Sequence, residues 1–488
     1  MHIRHDGRMV RVCVEKRETF AAFCAAKVSF FIDCEIKILN CRIKNEVSIM
    51  WIALIIFIVM YVLLLALPKY RYITALAAAV IFLALRMLSP LEALNSIDYN
   101  VLLMIAGTMG TVSLFIESGM PSLMADIIIE KTPNVKWTIV ALSLFAGIVS
   151  AFIDNVATVL MIAPVAMEMA RKFDISPVPM IIAISVSSNL QGAATLVGDT
   201  TAILLGSYAD MTFTDFFVFQ GKPGMFFVVE IGAILTMFVL LFLMRKNTQK
   251  ITPGERTKVT DYVPTVLLSG TVVLLIIASF WAERPALTNG IICVAMYVIG
   301  LIIRAVKYLI KNRQIREMEH VPSKKAGIHY VFQSVFEIDY QTILLLIGLF
   351  VVIGGITEAG VIDALANLIA KAGGSSTFAV YTIIVWGSVL ISAFVDNIPY
   401  TATMLPVVQT IALSQGIEPY VLYFGLLAGA TLGGNLTPVG ASANITAIGI
   451  LRKGGYEVKN KDFLRIGVPF SLVAVISGYI LIWLFYGI

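Results

Sequence analysis

Residues 150–155 read SAFIDN, and 242 positions later residues 392–397 read SAFVDN. Each hexapeptide sits in the middle of a long apolar stretch, 137–170 and 377–414, and each puts an acid and an amide, Asp154-Asn155 and Asp396-Asn397, where the flanks are almost wholly hydrophobic. A charged side chain at bilayer depth costs a few kcal/mol (about 2.5–3.5) on insertion scales, so its default reading is functional. Asp and Asn also N-cap helices, which would start the second limb of each stretch. Capping explains the residue types but not their placement in mid-membrane, so both roles are expected together.

Working outward, the same shift of 241–242 residues aligns Asp98-Tyr99 with Asp339-Tyr340, Glu117-Ser-Gly with Glu358-Ala-Gly, Pro164 with Pro406, and TLVG at 195–198 with TPVG at 437–440. Asp215-Phe216 matches Asp462-Phe463 after a five-residue insertion. Ordered matches of this kind mark an internal repeat. The rest of the composition agrees with a membrane chain: of 488 residues 59% are apolar and 14% charged, with mean hydropathy +0.89. A soluble domain carries about a quarter charged residues. The net charge of +5 is small and dispersed, which excludes nucleic acid as a partner. No CxxC spacing occurs, and the four histidines lie outside the apolar runs.

Apolar runs of spanning length predict helices near 50–67, 72–89, 99–118, 179–208 (broken), 225–244, 263–281, 286–303, 340–358, 419–451 (broken) and 466–486. The fold class is thus all-α and polytopic, with about ten crossings. The stretches 137–170 and 377–414 are each read as a re-entrant hairpin with its polar tip at membrane depth. On this layout 23 Lys and Arg fall on one side and Arg86, Lys222, Arg284 and Lys371 on the other, so the basic loops are expected in the cytoplasm of a plasma-membrane protein. Five crossings per half make the repeats inverted, 50–244 and 263–488, joined by a cytoplasmic loop 245–262, with a cytoplasmic basic loop 304–338 inside the second. Inverted repeats with a midplane site are the architecture of secondary transporters. Residues 1–49, with nine Lys/Arg and six Asp/Glu and no spanning run, read as an extension ahead of a true start at Met50.

The second pair of motifs, GAATLVGDTT at 192–201 and GGNLTPVGASAN at 433–444, puts glycines, threonines and Pro438 inside apolar spans, where they should unwind the helix. Freed carbonyls, hydroxyls and amides are then ligands for a hard cation. The candidate site therefore comprises Asp154, Asn155, Thr158, Thr195, Gly198, Asp199 and Thr200 in the first half, and Asp396, Asn397, Asn435, Thr437, Gly440, Ser442 and Asn444 in the second. Bound sodium is expected at Asp154, Asn155 and Asp199 and at Asp396, Asn397 and Asn444; no other cofactor is expected. Glycines that merely allow close helix packing would leave Asp199, Asn435 and Asn444 unexplained. Glu117, Glu358 and Glu230 also lie in apolar spans and receive no role.

SAFIDNVATVLMIAPV with SSNLQGAATLVGDTTAI, and SAFVDNIPYTATMLPVV with GATLGGNLTPVGASANI, together resemble the ion transporter superfamily, most of all its branch of arsenite permeases and P-protein relatives, which are related to citrate-type and sodium/dicarboxylate symporters. The resemblance covers residues 50–488. It implies an elevator-type secondary transporter, a scaffold carrying a mobile transport part, and a homodimer. Dicarboxylate members carry Ser-Asn-Thr at the hairpin tips where this chain has Asp154-Asn155-Val156 and Asp396-Asn397-Ile398, and P-protein relatives tend to have Asp-Pro-Pro-Asn where it has Asp199-Thr200-Thr201-Ala202. The expected activity is proton- or sodium-coupled movement of a small inorganic ion, sodium or an oxyacid such as arsenite, with a dicarboxylate or citrate-type anion as the alternative. An intramembrane aspartyl protease needs Gly-x-Gly-Asp, and Leu196-Val-Gly-Asp199 lacks the first glycine, so no enzyme is expected.

Overall fold

The computed structural model describes residues 48–250, 256–316 and 333–488. Most of the expected extension over 1–49 (residues 1–47) and parts of the two basic loops lie outside the described residues. The main helices, in chain order, are α1 (Ser48–Ala66), α2 (Arg71–Ala84), α3 (Pro90–Asn95), α4 (Tyr99–Glu117), α5 (Met120–Lys131), α6 (Val135–Ser150), α7 (Asn155–Lys172), α8 (Val178–Gly192), α9 (Thr200–Tyr208), α10 (Met225–Leu243), α11 (Val263–Ser279), α12 (Thr288–Arg316), α13 (Tyr340–Glu358), α14 (Val361–Gly373), α15 (Thr377–Ser392), α16 (Asn397–Gln415), α17 (Tyr420–Gly433), α18 (Ser442–Lys453) and α19 (Asn460–Tyr486). The fold is all-α. Its one sheet among the described residues is a two-stranded hairpin, Val218–Phe219 against Lys222–Pro223, turned by Gln220 and Gly221, both at positive φ.

Every expected span coincides with a helix or a broken pair. By length and composition alone, six are apolar enough to cross a bilayer unaided: α1, α4, α10, the Thr288–Ile310 part of α12, α13 and α19. The breaks expected in 179–208 and 419–451 fall at residues 193–199 and 434–441. Four elements were not among the expected spans and hairpins: α3, α5, α14 and the β-hairpin. α5 and α14 are repeat-related and short. Each follows a glycine in the left-handed region, Gly119 (φ +76°) and Gly360 (φ +75°). α14 is set at 118° to α15.

The repeat seen in sequence recurs in helix order and in the caps. Asp98 accepts from Val101 N at 3.0 Å and Asp339 from Thr342 N at 3.1 Å, starting α4 and α13. Asn134 and Ser376 cap α6 and α15. Asp154 and Asp396 cap α7 and α16, each of which carries an internal proline, Pro164 and Pro406.

Burial is distributed as a bilayer requires. Large apolar residues of the outer helices, such as Ile55, Val80, Phe238 and Leu309, are exposed, whereas Ser187, Ser188, Asn189 and Gln191 of α8 are wholly buried. α8 and its repeat-mate α17 form the centre of the molecule, with essentially every residue of each buried. α4 and α12 meet along a seam of small residues: a Cβ on Gly107 would stand 2.4 Å from the Cys293 carbonyl carbon, and one on Gly290 2.7 Å from Leu103 Cβ.

Candidate functional site

Each hairpin turns at its acid. The α6–α7 turn spans residues 151–154 and the α15–α16 turn residues 393–396. Asp154 Oδ2 accepts from the backbone amides of Val156 (3.0 Å) and Ala157 (3.1 Å), and Asp396 Oδ1 from that of Ile398 (3.2 Å). The capping expected from the residue types is therefore present at both tips.

Each broken helix is clamped to the turn of its own hairpin in the same way. The Thr195 hydroxyl donates to the Ala151 carbonyl, and the Thr437 hydroxyl to the Ala393 carbonyl. Gly198 packs where an added Cβ would stand 2.5 Å from the Gly192 carbonyl oxygen and 2.8 Å from those of Ala151 and Ser150. For Gly440 the corresponding distances are 2.7 Å to the carbonyl oxygens of Ala393, Gly434 and Ser392. These glycines bring unwound backbone against hairpin backbone, which is irregular main chain buried in protein at membrane depth.

Between the two clamps lies one buried polar network. Asn155 Nδ2 donates to Asn189 Oδ1 at 2.9 Å, and Asn189 Nδ2 donates to Asn435 Oδ1 at 3.0 Å and to the Thr431 carbonyl at 2.7 Å. Asn435 in turn donates to the Val186 carbonyl at 2.8 Å. Asn444 Nδ2 reaches the carbonyls of Gly434 (3.1 Å) and Thr437 (3.4 Å), while its Oδ1 accepts from Ser185 at 2.7 Å. Asn397 Nδ2 crosses from the second tip to Asp199 Oδ2 at 3.2 Å, which also accepts from Thr201 at 2.8 Å. Buried amides stay satisfied only when such chains close, so this network fixes the two halves against each other.

The charges are not distributed as the repeat would suggest. Asp396 Oδ2 accepts from Arg71 Nη1 at 2.7 Å and from Ser442 Oγ at 2.8 Å. Among the described residues no Lys, Arg or His lies within 4 Å of Asp154 in the same manner. Position 199 is Asp in the first half, and its repeat counterpart at 441 is Ala. Arg71 is joined by a second contact from the same part of the chain: Tyr61 of α1 donates to the Pro399 carbonyl at 2.8 Å, and its oxygen lies 2.7 Å from Thr403 Oγ1.

The expected cation sets fare differently. In the first, Asn155 is engaged through its nitrogen only, and Asp154 retains oxygen lone pairs that no side chain occupies among the described residues. In the second, Asp396 is held by a guanidinium, Asn397 donates to Asp199 of the first expected set, and Asn444 is bonded to backbone carbonyls and Ser185, so each of the three expected ligands is engaged and the two sets are joined through Asp199. Thr158 and Thr200 are buried, and Thr158 Oγ1, Thr401 Oγ1 and Gln191 Oε1 have no hydrogen-bond partner among the described residues. Two participants had escaped notice. Asn189 looked like one polar residue in a small-residue helix, and Arg71 entered only as a loop charge fixing sidedness.

A cavity of about 790 Å³ opens elsewhere, between the ends of α4, α12 and α13 and the helices α9 and α16, lined among others by Asp98, Asn100, Tyr208, Arg284 and Glu358. Glu92 on its rim has its carboxyl held below the usual range by hydrogen bonds from Ser89. Its floor is Leu204, Ala402, Leu405 and Pro406, and none of the tip residues lines it.

A family description, citrate transporter, matches residues 49–317 and 326–487. The chain belongs to the citrate transporter family. Like other proteins of this citrate transporter group, it is a multi-pass membrane transporter and not an enzyme. It is similar to a 46 kDa membrane protein of Mycobacterium leprae, 28% identical over 445 residues that make up 89% of this chain and 98% of that one. It is also similar to the P protein of Mus musculus, 25% identical over 464 residues, 79% of this chain and 54% of that protein. Among solved structures, the YdaH transporter of Alcanivorax borkumensis shares the fold at 15% identity and a TM-score of 0.53, over 91% of this chain and 98% of that one.

Proposed function

We propose that the protein is an elevator-type secondary transporter coupled to protons or sodium, with the coupling cation bound among the carboxylates of the hairpin tips and broken helices. The observation that supports this most is the single network running from Asn155 through Asn189 to Asn435 and from Asn397 to Asp199. Polar tips from both halves meet two unwound helices inside an apolar protein, and helix termini with freed main-chain groups are how transporters hold ions at the midplane. The inverted arrangement of the repeats 50–244 and 263–488 belongs to this reading, as does a homodimer in the plasma membrane.

The same count of basic residues assigns the starts of α2 and α13, where Arg71 and Asp339 lie, to the cytoplasmic side. The second tip meets the first of these ends through the Arg71–Asp396 pair. Three carboxylates around the site disfavour a free multivalent anion and favour sodium itself or an oxyacid such as arsenite as the moved ion. Arg71 favours a second reading, a citrate-type anion as in the family's name, because a guanidinium pairs carboxylates in bidentate geometry. In proteoliposomes, uptake driven by a sodium or pH gradient is expected to lose its gradient dependence in Asp154→Asn. Unchanged gradient-driven uptake in that variant would overturn the coupling role. A substrate panel of sodium, arsenite, citrate and succinate separates the two readings.

A further inference from the structure

The two halves present repeat-related tips with unequal charge. At the first stands Asp154, half-buried, with no Lys, Arg or His within 4 Å of it among the described residues, while the buried Asp199 of the first broken helix lies between the halves and accepts from Asn397 of the second tip. At the second stands one carboxylate, Asp396, neutralised by Arg71 at 2.7 Å and further bonded by Ser442, while the position matching Asp199 is Ala441. The guanidinium does not belong to the hairpin. It comes from the first residue of α2, reaches across 325 positions of sequence and remains only 19% exposed. A buried carboxylate needs a cation or a proton beside it, and Arg is the side chain that stays charged under all conditions.

We infer that Arg71 is a built-in replacement for a coupling cation at the second tip, so that the transporter binds its coupling cation at the first tip alone. The position and the partner fit this role: Arg71 occupies the Asp396 oxygen that a bound cation would use, with the Ser442 hydroxyl as the second oxygen on that carboxylate. A mobile cation at tip two would have to share Asp396 with a fixed positive charge about 3 Å away, a repulsion that low dielectric makes large. At tip one no such competitor is present among the described residues. Specificity for a small cation there and exclusion of one at tip two follow from the same difference. The inference rests on the coupling reading above and deepens it by assigning the cation to one half.

The test uses the full chain in detergent, with thermal unfolding followed while NaCl replaces choline chloride at constant ionic strength, and in parallel while pH is lowered from about 8 to 5. Each bound cation adds its own concentration-dependent stabilisation, so the wild type is expected to respond with a slope of about 1 in the logarithm of one of the two cations. Asp154→Asn should abolish that response and Asp396→Asn should not. Arg71→Gln should raise the slope to about 2, by opening the second site, while Arg71→Lys and the double variant Arg71→Gln/Asp396→Asn should return it to about 1. A slope unchanged in Arg71→Gln, or a wild-type response abolished by Asp396→Asn alone, overturns the inference and leaves cation coupling intact. A wild type that responds to neither cation overturns coupling and the inference together. If Arg71→Gln does not fold, the Arg71→Lys and double variants still decide, because a slope near 2 in either contradicts the replacement.

Discussion

At the first tip Asp154 receives two main-chain amides and no side-chain cation among the described residues; at the second, Asp396 receives one amide, a serine hydroxyl and a guanidinium. Around these unlike charges the supporting backbone is the same: a threonine tied to the hairpin turn, a glycine pressed on three carbonyls, an acid capping the outgoing limb. Duplication has thus preserved what makes a tip stand at membrane depth and let go of what the tip carries. Geometry and charge are separable properties of this motif, and variants should separate them.

The largest expected effect is one that treats both halves alike. Gly198→Ala and Gly440→Ala each push a methyl into three backbone carbonyls that no rotamer change relieves, so each should cost more than about 3 kcal/mol, beyond ordinary overpacking, and most of the folded protein by fluorescence size-exclusion. A large loss at one glycine only would break the structural equivalence of the clamps. Next in size is an effect that should differ between halves. Asp396→Asn strands the Arg71 guanidinium and should cost about 3 kcal/mol, the low end for a broken buried pair because Arg71 keeps some solvent contact. Asp154→Asn keeps a capping side chain and has no cationic partner to strand, so its stability should stay within about 0.5 kcal/mol of wild type. Equal melting shifts for the two would show that the Arg71 pair does not distinguish them. Smallest is Thr195→Val against Thr437→Val. Each removes one hydroxyl bond to a turn carbonyl and should cost about 1 kcal/mol, the fully buried Thr195 somewhat more than the half-buried Thr437.

Much of this was legible in the sequence because membrane helices leave few places for polar residues. Asp154-Asn155 and Asp396-Asn397, the helix breaks after Gly192 and Gly433, and the caps Asp98 and Asp339 stand out against an apolar background, and all of them turn up as hairpin tips, breaks and caps. Arg71 did not stand out, since a basic residue at the end of a span is what sidedness predicts anyway, and only tertiary packing carries it to Asp396. Asn189 escaped because its partners, Asn155 and Asn435, are 34 and 246 residues distant. The helices α5 and α14 were hidden by their length: at 12 and 13 residues they are too short to count as spans.

The glycine seam between α4 and α12 has a mechanical meaning. Where Gly107 and Gly290 bring the two helices within backbone reach of each other, little side chain stands between them to accommodate sliding. The pair therefore behaves as a two-ply beam that tilts or translates as one piece. Contacts made by long side chains tolerate displacement more readily, and the reach of Arg71 to the second tip is one of those.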